Sequence, residues 1–367
     1  MSSSVVPKLF QPVQVGEFTL AHRVVLAPLT RFRANKDYVH GDLAVEYYSQ
    51  RASVPGTLLI TEATLISAKA GGFSYVPGIW NNEQVAAWRR ITKAVHAKGS
   101  RIFCQLWALG RAAHPDVLKA DDPSYELVSA SNLPLPKGST PRALTISEIE
   151  EYVQMFTSAA QNAMRAGFDG IELHGANGYL IDQFLQDVSN NRTDMYGGSV
   201  ENRARFVLEV IDSIARAIGA SRVAIRISPW SHYQDMRMRD PKPTFAYLVS
   251  RLASTHTDLA YIHVIEPRIE EHEPEPGESN DFLREIWAPR AYISAGGYKR
   301  QLAFMDAEKT GDLIAFGRLF LANPDLPTRI AKDLPLNIGN RDTYYYVAET
   351  AKGYTDYPLS DDPRAAI

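Results

Sequence analysis

Along the chain, short runs of consecutive apolar residues alternate with longer stretches in which apolar residues return every three or four positions. The runs Arg23–Ala27, Thr57–Thr61, Arg101–Leu106, Gly170–Leu173, Val223–Ile227, Leu259–Val264, Ala291–Ser294 and Leu313–Phe316 predict eight buried strands. Between them the spacing predicts helices. One spans Asp42–Gln50, and a second is capped by Asn82 with Val85, Trp88, Ile91 and Val95 on its apolar face before Gly99 stops it. A third opens on the capping box of Thr145 and Glu148 and runs through Ile149, Tyr152, Val153, Phe156, Ala160, Ala163 and Met164 to Gly167. Others follow Ser199, span Phe245–Leu252 and Lys299–Ala307, and close the chain at Pro324–Ala331. Ahead of the first strand, alternating apolar residues around Gly16 in Leu9–Leu20 predict a small hairpin that closes one end of the fold.

Strands alternating with helices and no change of composition regime predict an α/β fold, a (β/α)8 TIM barrel, as a single domain over residues 9–358 with a hairpin cap. Residues 1–8 are expected to be flexible, and the polar tail 359–367 disordered. A doubly wound sheet would carry a Gly-rich phosphate turn after its first strand, and Pro28-Leu29-Thr30 stands there instead. Two connections are long, Arg111–Arg142 after strand three and Glu266–Pro289 after strand six, and both are read as lids. The second carries Glu270, Glu271, Glu273, Glu275, Glu278 and Asp281, read as a solvated, mobile surface rather than a metal site.

Composition narrows the partners. With 45% hydrophobic and 22% charged residues the chain is a globular enzyme type, and a net charge of -3 gives no field to gather nucleic acid or acidic lipid. A small-molecule partner is expected. The one cysteine, Cys104, lies in an apolar run, so neither a disulfide nor a multi-cysteine metal site is expected. No stretch is apolar enough for a signal h-region or a membrane span, which makes the cytoplasm the expected location. Oligomeric state, monomer or homodimer, is left open.

In a barrel the carboxyl ends of the strands share one face, where chemistry collects. Here that face would gather Thr30, Ala63, Gln105, His174, Asn177 and Arg226, with Tyr179 close behind. An imidazole, a carboxamide and a phenol bunched at a strand end point to a site, although a buried His with ordinary hydrogen bonds beside a packed Tyr accounts for the same residues. Arg226 could equally pair with a structural carboxylate, and Gln105 could be a satisfied polar residue lining the barrel. Gly296-Gly297 and Gly317-Arg318 follow the last two strands, where barrels commonly hold a phosphate, or they simply make tight turns.

The segments Ala27-Pro28-Leu29-Thr30-Arg31, Gln105-Leu106-Trp107, His174-Gly175-Ala176-Asn177-Gly178-Tyr179-Leu180, Tyr196-Gly197-Gly198-Ser199-Val200-Glu201-Asn202-Arg203, Arg226-Ile227-Ser228-Pro229, Gly317-Arg318 and Asn323-Pro324-Asp325-Leu326 resemble the Old Yellow Enzyme family in order along the chain. The resemblance implies an FMN-dependent ene-reductase that oxidises NADPH and reduces the C=C bond of α,β-unsaturated carbonyl compounds, with FMN held non-covalently. It implies that Thr30 donates to the flavin O4, that Pro28, Leu29, Ala63 and His174 lie near the ring, and that Gln105 binds the pyrimidine edge. Arg226 would face N1 and O2, and Gly296, Gly297, Gly317 and Arg318 the phosphate. His174 and Asn177 would bind the substrate carbonyl, with Tyr179 as proton donor. Tyr344 is expected against the ring edge and Tyr345 facing substrate, in a run of three tyrosines whose register stays open. An isomerase or cyclase on the same fold, or a non-catalytic flavin-binding protein, are the alternatives.

Overall fold

The structure, a computed structural model, describes residues 6–267, 274–347 and 349–362. All eight expected strands form, at Val24–Leu26 (β1), Leu58–Ile60 (β2), Arg101–Trp107 (β3), Gly170–Gly175 (β4), Val223–Ile227 (β5), Tyr261–Ile265 (β6), Tyr292–Ala295 (β7) and Leu313–Phe316 (β8). Each pairs in parallel with its neighbours in the order β2-β1-β8-β7-β6-β5-β4-β3, and the pairing of Leu58 with Arg101 closes the ring. Strands buried on both faces are mostly apolar, which is why they read as near-continuous runs rather than alternating ones. The chain is a (β/α)8 barrel in a single domain.

The helices α1 (Asp42–Arg51), α2 (Asn82–His96), α3 (Ile146–Arg165), α4 (Val200–Ile218), α5 (Lys242–Thr255), α6 (Asp281–Trp287), α7 (Arg300–Thr310) and α8 (Leu326–Lys332) surround it. The capping box of Thr145 and Glu148 opens α3 as expected. On α2 the cap is Asn81, whose side chain accepts from Gln84 N–H, so the expected cap Asn82 is the first helical residue. Adjacent asparagines offer the same chemistry, and the glutamine three positions on selects the earlier one.

The N-terminal hairpin, Val13–Val15 paired with Phe18–Leu20, packs Val15 and Leu20 against the inward-facing Val25, Leu58, Phe103, Ala224, Ile293 and Leu313. It therefore plugs the end of the barrel opposite the strands' carboxyl ends. At its tip Gly16 sits at φ +52°, where an added Cβ would lie 2.1 Å from the carbonyl oxygen of Ser221.

Both long connections contain a helix, the first at Pro115–Asp121 and the second α6. Of the acidic run's described residues, Glu275 and Asp281 are exposed, as expected of a solvated surface, and Glu278 is not. Glu278 is enclosed and paired with Arg237 at 2.8 Å, and Asp281 pairs with Arg284 at 2.6 Å. Glu270, Glu271 and Glu273 lie outside the described residues, as does most of the tail expected to be disordered.

Near the C-terminus, residues 341–347 and 349–357 strap back over the strand ends. Three arginines from the start of the chain hold the strap by its carbonyls: Arg31 Nη2 donates to Gly353 at 2.7 Å, Arg33 Nη2 to Lys352 at 2.9 Å and Arg51 Nη2 to Tyr354 at 3.2 Å. Among the described residues no helix is long and apolar enough to cross a membrane, and no group of His, Cys, Asp or Glu is arranged to hold a metal. Cys104 is buried in β3, and burial pushes its thiol up to about 12.

Candidate active site

A cavity of about 1150 Å³ opens at the carboxyl ends of the strands, and Pro28, Leu29, Thr30, Ala63, Gln105, His174, Asn177, Tyr179, Arg226 and Tyr345 all line it. The expected site residues thus converge from six separate elements.

The floor is built by strand register. Gln105 on β3 lies beside Glu172 on β4, and His174 on β4 beside Arg226 on β5, which in turn lies beside His263 on β6. Gln105 Nε2 donates to Glu172 Oε1 at 2.7 Å. A carboxylate offers only acceptors, so the amide atom facing it is nitrogen and Oε1 is turned away from it. That oxygen makes no hydrogen bond among the described residues, on a side chain that lines the cavity. Arg226 forms no ion pair among the described residues, and its Nε is enclosed without a partner. Its charge is disfavoured by burial and favoured by the Glu172 carboxylate. An acceptor next to a guanidinium complements an imide edge, a ring N–H flanked by C=O, and these residues fit the FMN that the resemblance implies.

Above the floor, His174 accepts the Ala176 N–H at Nδ1 (3.4 Å), which leaves the proton on Nε2. Burial, then the charges of Arg226 and His263, hold its pKa well below the usual histidine value. His174 is therefore a neutral donor at neutral pH. Its position is within β4 rather than after it, because the strand continues to Gly175.

Asn177 sits at φ +57°, a left-handed conformation that asparagine tolerates better than most residues. Its N–H is fixed by Ser228 Oγ at 2.8 Å. Gly178 N–H donates to Asp182 Oδ2 at 2.9 Å, so this turn is held from both sides and the Asn177 carboxamide is carried to the cavity.

Tyr179 precedes the short helix Leu180–Leu185 and lies edge-on to Trp107, with centroids 4.8 Å apart, and to His174 at 5.0 Å. Burial first, then the neighbouring Tyr233 and Tyr345, raise its phenol pKa, opposed by a hydrogen bond to Gln234. It remains a protonated phenol across the neutral range.

Some expectations are placed differently. Gly296, Gly297, Gly317 and Arg318 follow β7 and β8 at the same barrel end but are not among the residues lining the cavity. Gly296 and Gly297 have φ of 128° and 60°, so their turns require glycine whatever they bind. Tyr344 does not line the cavity either. It is buried, with its hydroxyl against Gly339, while Tyr345 reaches the cavity and contacts Phe32 edge-on at 6.2 Å. The first long connection, beyond Arg111, contributes nothing to the cavity wall, and of the second Pro267 does.

The aromatic wall of Phe32, Phe73, Trp107, Trp230 and Tyr233 was not singled out from the sequence, and neither were Glu172 and His263 beneath the floor. Period-two alternation within β4 and β6 was the available signal for the last two, since Glu172 lies two positions before His174 and shares its face.

Residues 8–337 match the family described as NADH:flavin oxidoreductase / NADH oxidase. The chain is 49% identical to the chanoclavine-I aldehyde reductase of Penicillium roqueforti, over 98% of this chain and 98% of that protein. It is 48% identical to an NADP-dependent oxidoreductase of Aspergillus flavus, over 96% and 97%. The crystal structure of the Old Yellow Enzyme from Pichia sp. AKU4542 superposes with a TM-score of 0.90 at 38% identity, covering 97% of this chain and 95% of that one.

Proposed function

We propose that this chain, which belongs to the NADH:flavin oxidoreductase / NADH oxidase family and within it to the Old Yellow Enzymes, oxidises NADPH and reduces the C=C bond of α,β-unsaturated carbonyl compounds in the cytoplasm. The observation that carries the reading is the convergence of a neutral His174, Asn177 and a protonated Tyr179 on one cavity whose floor offers Gln105 and Arg226.

When bound, FMN supplies hydride equivalents taken from NADPH. Thr30, Gln105 and Arg226 would hold its pyrimidine edge, Pro28, Leu29 and Ala63 would pack beside the ring, and Gly296, Gly297, Gly317 and Arg318 would hold its phosphate. The substrate chemistry falls to the groups above. His174 Nε2–H and the Asn177 carboxamide donate to the substrate carbonyl oxygen, where negative charge gathers as the β-carbon accepts hydride, and prepared donors in an enclosed site stabilise that charge. Tyr179 supplies the proton for the α-carbon. Tyr345 and Phe32 close the mouth over the substrate.

NADPH is supported by the name of the A. flavus relative, and an aldehyde as substrate by the name of the P. roqueforti one. The test is anaerobic: purified yellow protein is mixed with NADPH, then with a cyclic enone or an unsaturated aldehyde, and the product is identified. Bleaching followed by recovery of colour with a saturated product is expected. An FMN-loaded protein that bleaches, stays bleached and leaves the substrate unchanged would be a flavin-holding protein, and one that stays bleached while a rearranged, unreduced product accumulates would be an isomerase.

A further inference from the structure

Beneath the residues so far given a task lies a carboxylate that has none. Glu172 is fully buried in the barrel, one layer below His174 on the same strand. Its two oxygens are both engaged: Oε1 accepts from Gln105 Nε2 at 2.7 Å, and Oε2 meets His263 Nδ1 at 2.9 Å. Burial lowers the His263 pKa, so the ring is neutral and Nδ1 carries its proton toward the carboxylate, leaving Nε2 bare and unpartnered. A buried carboxylate is costly unless donors surround it. Here an amide N–H, an imidazole N–H and the field of Arg226 do so, although Arg226 itself stops short of an ion pair.

We propose that Glu172 is a positioning residue for the flavin-facing pair Gln105 and Arg226: it fixes which end of the Gln105 amide meets the pyrimidine edge, and its charge offsets part of the Arg226 field there. The inference rests on the flavin reading above and deepens it. Because a carboxylate accepts only, Glu172 holds the Gln105 nitrogen and commits Oε1 to the cavity as an acceptor for a ring N–H. The Arg226 guanidinium favours whichever redox form carries more negative charge on that edge, which is the reduced one. A fixed negative charge behind it weakens that preference, lowering the reduction potential and making the reduced form a stronger hydride donor.

Two variants separate the parts. Glu172→Gln keeps the shape, removes the charge, and can turn its own amide toward Gln105. Its flavin potential, measured against a reference dye, is expected to rise by about 30 mV or more, which is a tenfold change in the ratio of oxidised to reduced FMN dissociation constants for a two-electron couple. Glu172→Asp keeps the charge but withdraws it by one methylene from Gln105. It is expected to bind FMN about tenfold more weakly at an unchanged potential. A residue that only fills the barrel would alter stability or FMN occupancy but not split potential from affinity in this way.

An E172Q protein that binds FMN at the wild-type potential overturns the charge argument, and an E172D protein with wild-type FMN affinity overturns the orientation argument. If E172Q does not fold, E172D alone decides. If neither accumulates as folded protein, the carboxylate serves the barrel itself and the proposal is overturned. Failure of the unaltered protein to take up FMN would instead remove the flavin reading.

Discussion

Replacing Tyr179 with Phe deletes one oxygen and leaves the ring that lies edge-on to Trp107 at 4.8 Å and to His174 at 5.0 Å. The wall of the cavity is then unchanged, and so are His174, Asn177 and the floor. On the proposed mechanism, what is lost is the proton for the α-carbon. Burial holds that phenol above its ordinary pKa, so in the parent protein it is a donor at every pH at which the fold would be assayed. A positioned general acid contributes about 100-fold to 10,000-fold, so turnover of an enone should fall by at least about 100-fold, or about 2.7 kcal/mol in the barrier. Reduction by NADPH needs no proton from Tyr179, so anaerobic bleaching should stay within about twofold of the parent rate. Stopped-flow absorbance at the flavin band reads both half-reactions in turn. If the two rates fall together, or if neither changes, Tyr179 is not the proton donor and the assignment is wrong.

Asn177→Gly should relieve the left-handed strain at φ +57° while deleting the proposed substrate donor, so thermal stability should hold while kcat falls by about 100-fold or more, read by steady-state kinetics beside a melting curve. Gly16→Ala should cost about 1–3 kcal/mol in urea unfolding, because its Cβ would meet the Ser221 carbonyl oxygen at 2.1 Å, with kcat per folded molecule unchanged. Burial lowers His22 from 6.5 to about 4, so the unfolded chain binds a proton there before the folded one does. The stability His22 contributes is complete above pH 6.5 and is lost as pH falls toward 4, by about 3 kcal/mol at about 1.4 kcal/mol per pH unit. Urea midpoints measured from pH 7 to 4 should show that loss, and His22→Gln should flatten it.

The fold was legible where burial alone decides the residue type. β5 and β8 are bounded as expected because two-faced parallel strands are mostly apolar: Asp312 and Gly317 flank β8, and Arg222 precedes β5, whose one charged position, Arg226, lines the cavity. The short helix α6 was not legible, because its Phe282, Leu283, Ile286 and Trp287 stripe is embedded in an acidic stretch that reads as loop. At the site, residues at strand ends were legible since barrel closure gathers them whatever the loops do. The stretch from Trp230 to Tyr233 has no periodicity, so its arrival at the cavity depends on how the chain turns after β5. The three tyrosines at 344–346 could not be ordered from sequence, because their register is set by carbonyls gripped by Arg31 and Arg33, more than 300 residues away along the chain.

That grip has a temporal side. Arg31, Arg33 and Arg51 leave a ribosome more than 300 residues before their acceptors among the carbonyls of Thr343, Gly353 and Tyr354 do. Until then the guanidiniums lack their acceptors and Tyr345 is not over the cavity. The barrel's mouth therefore gains its roof only after the strap has been made.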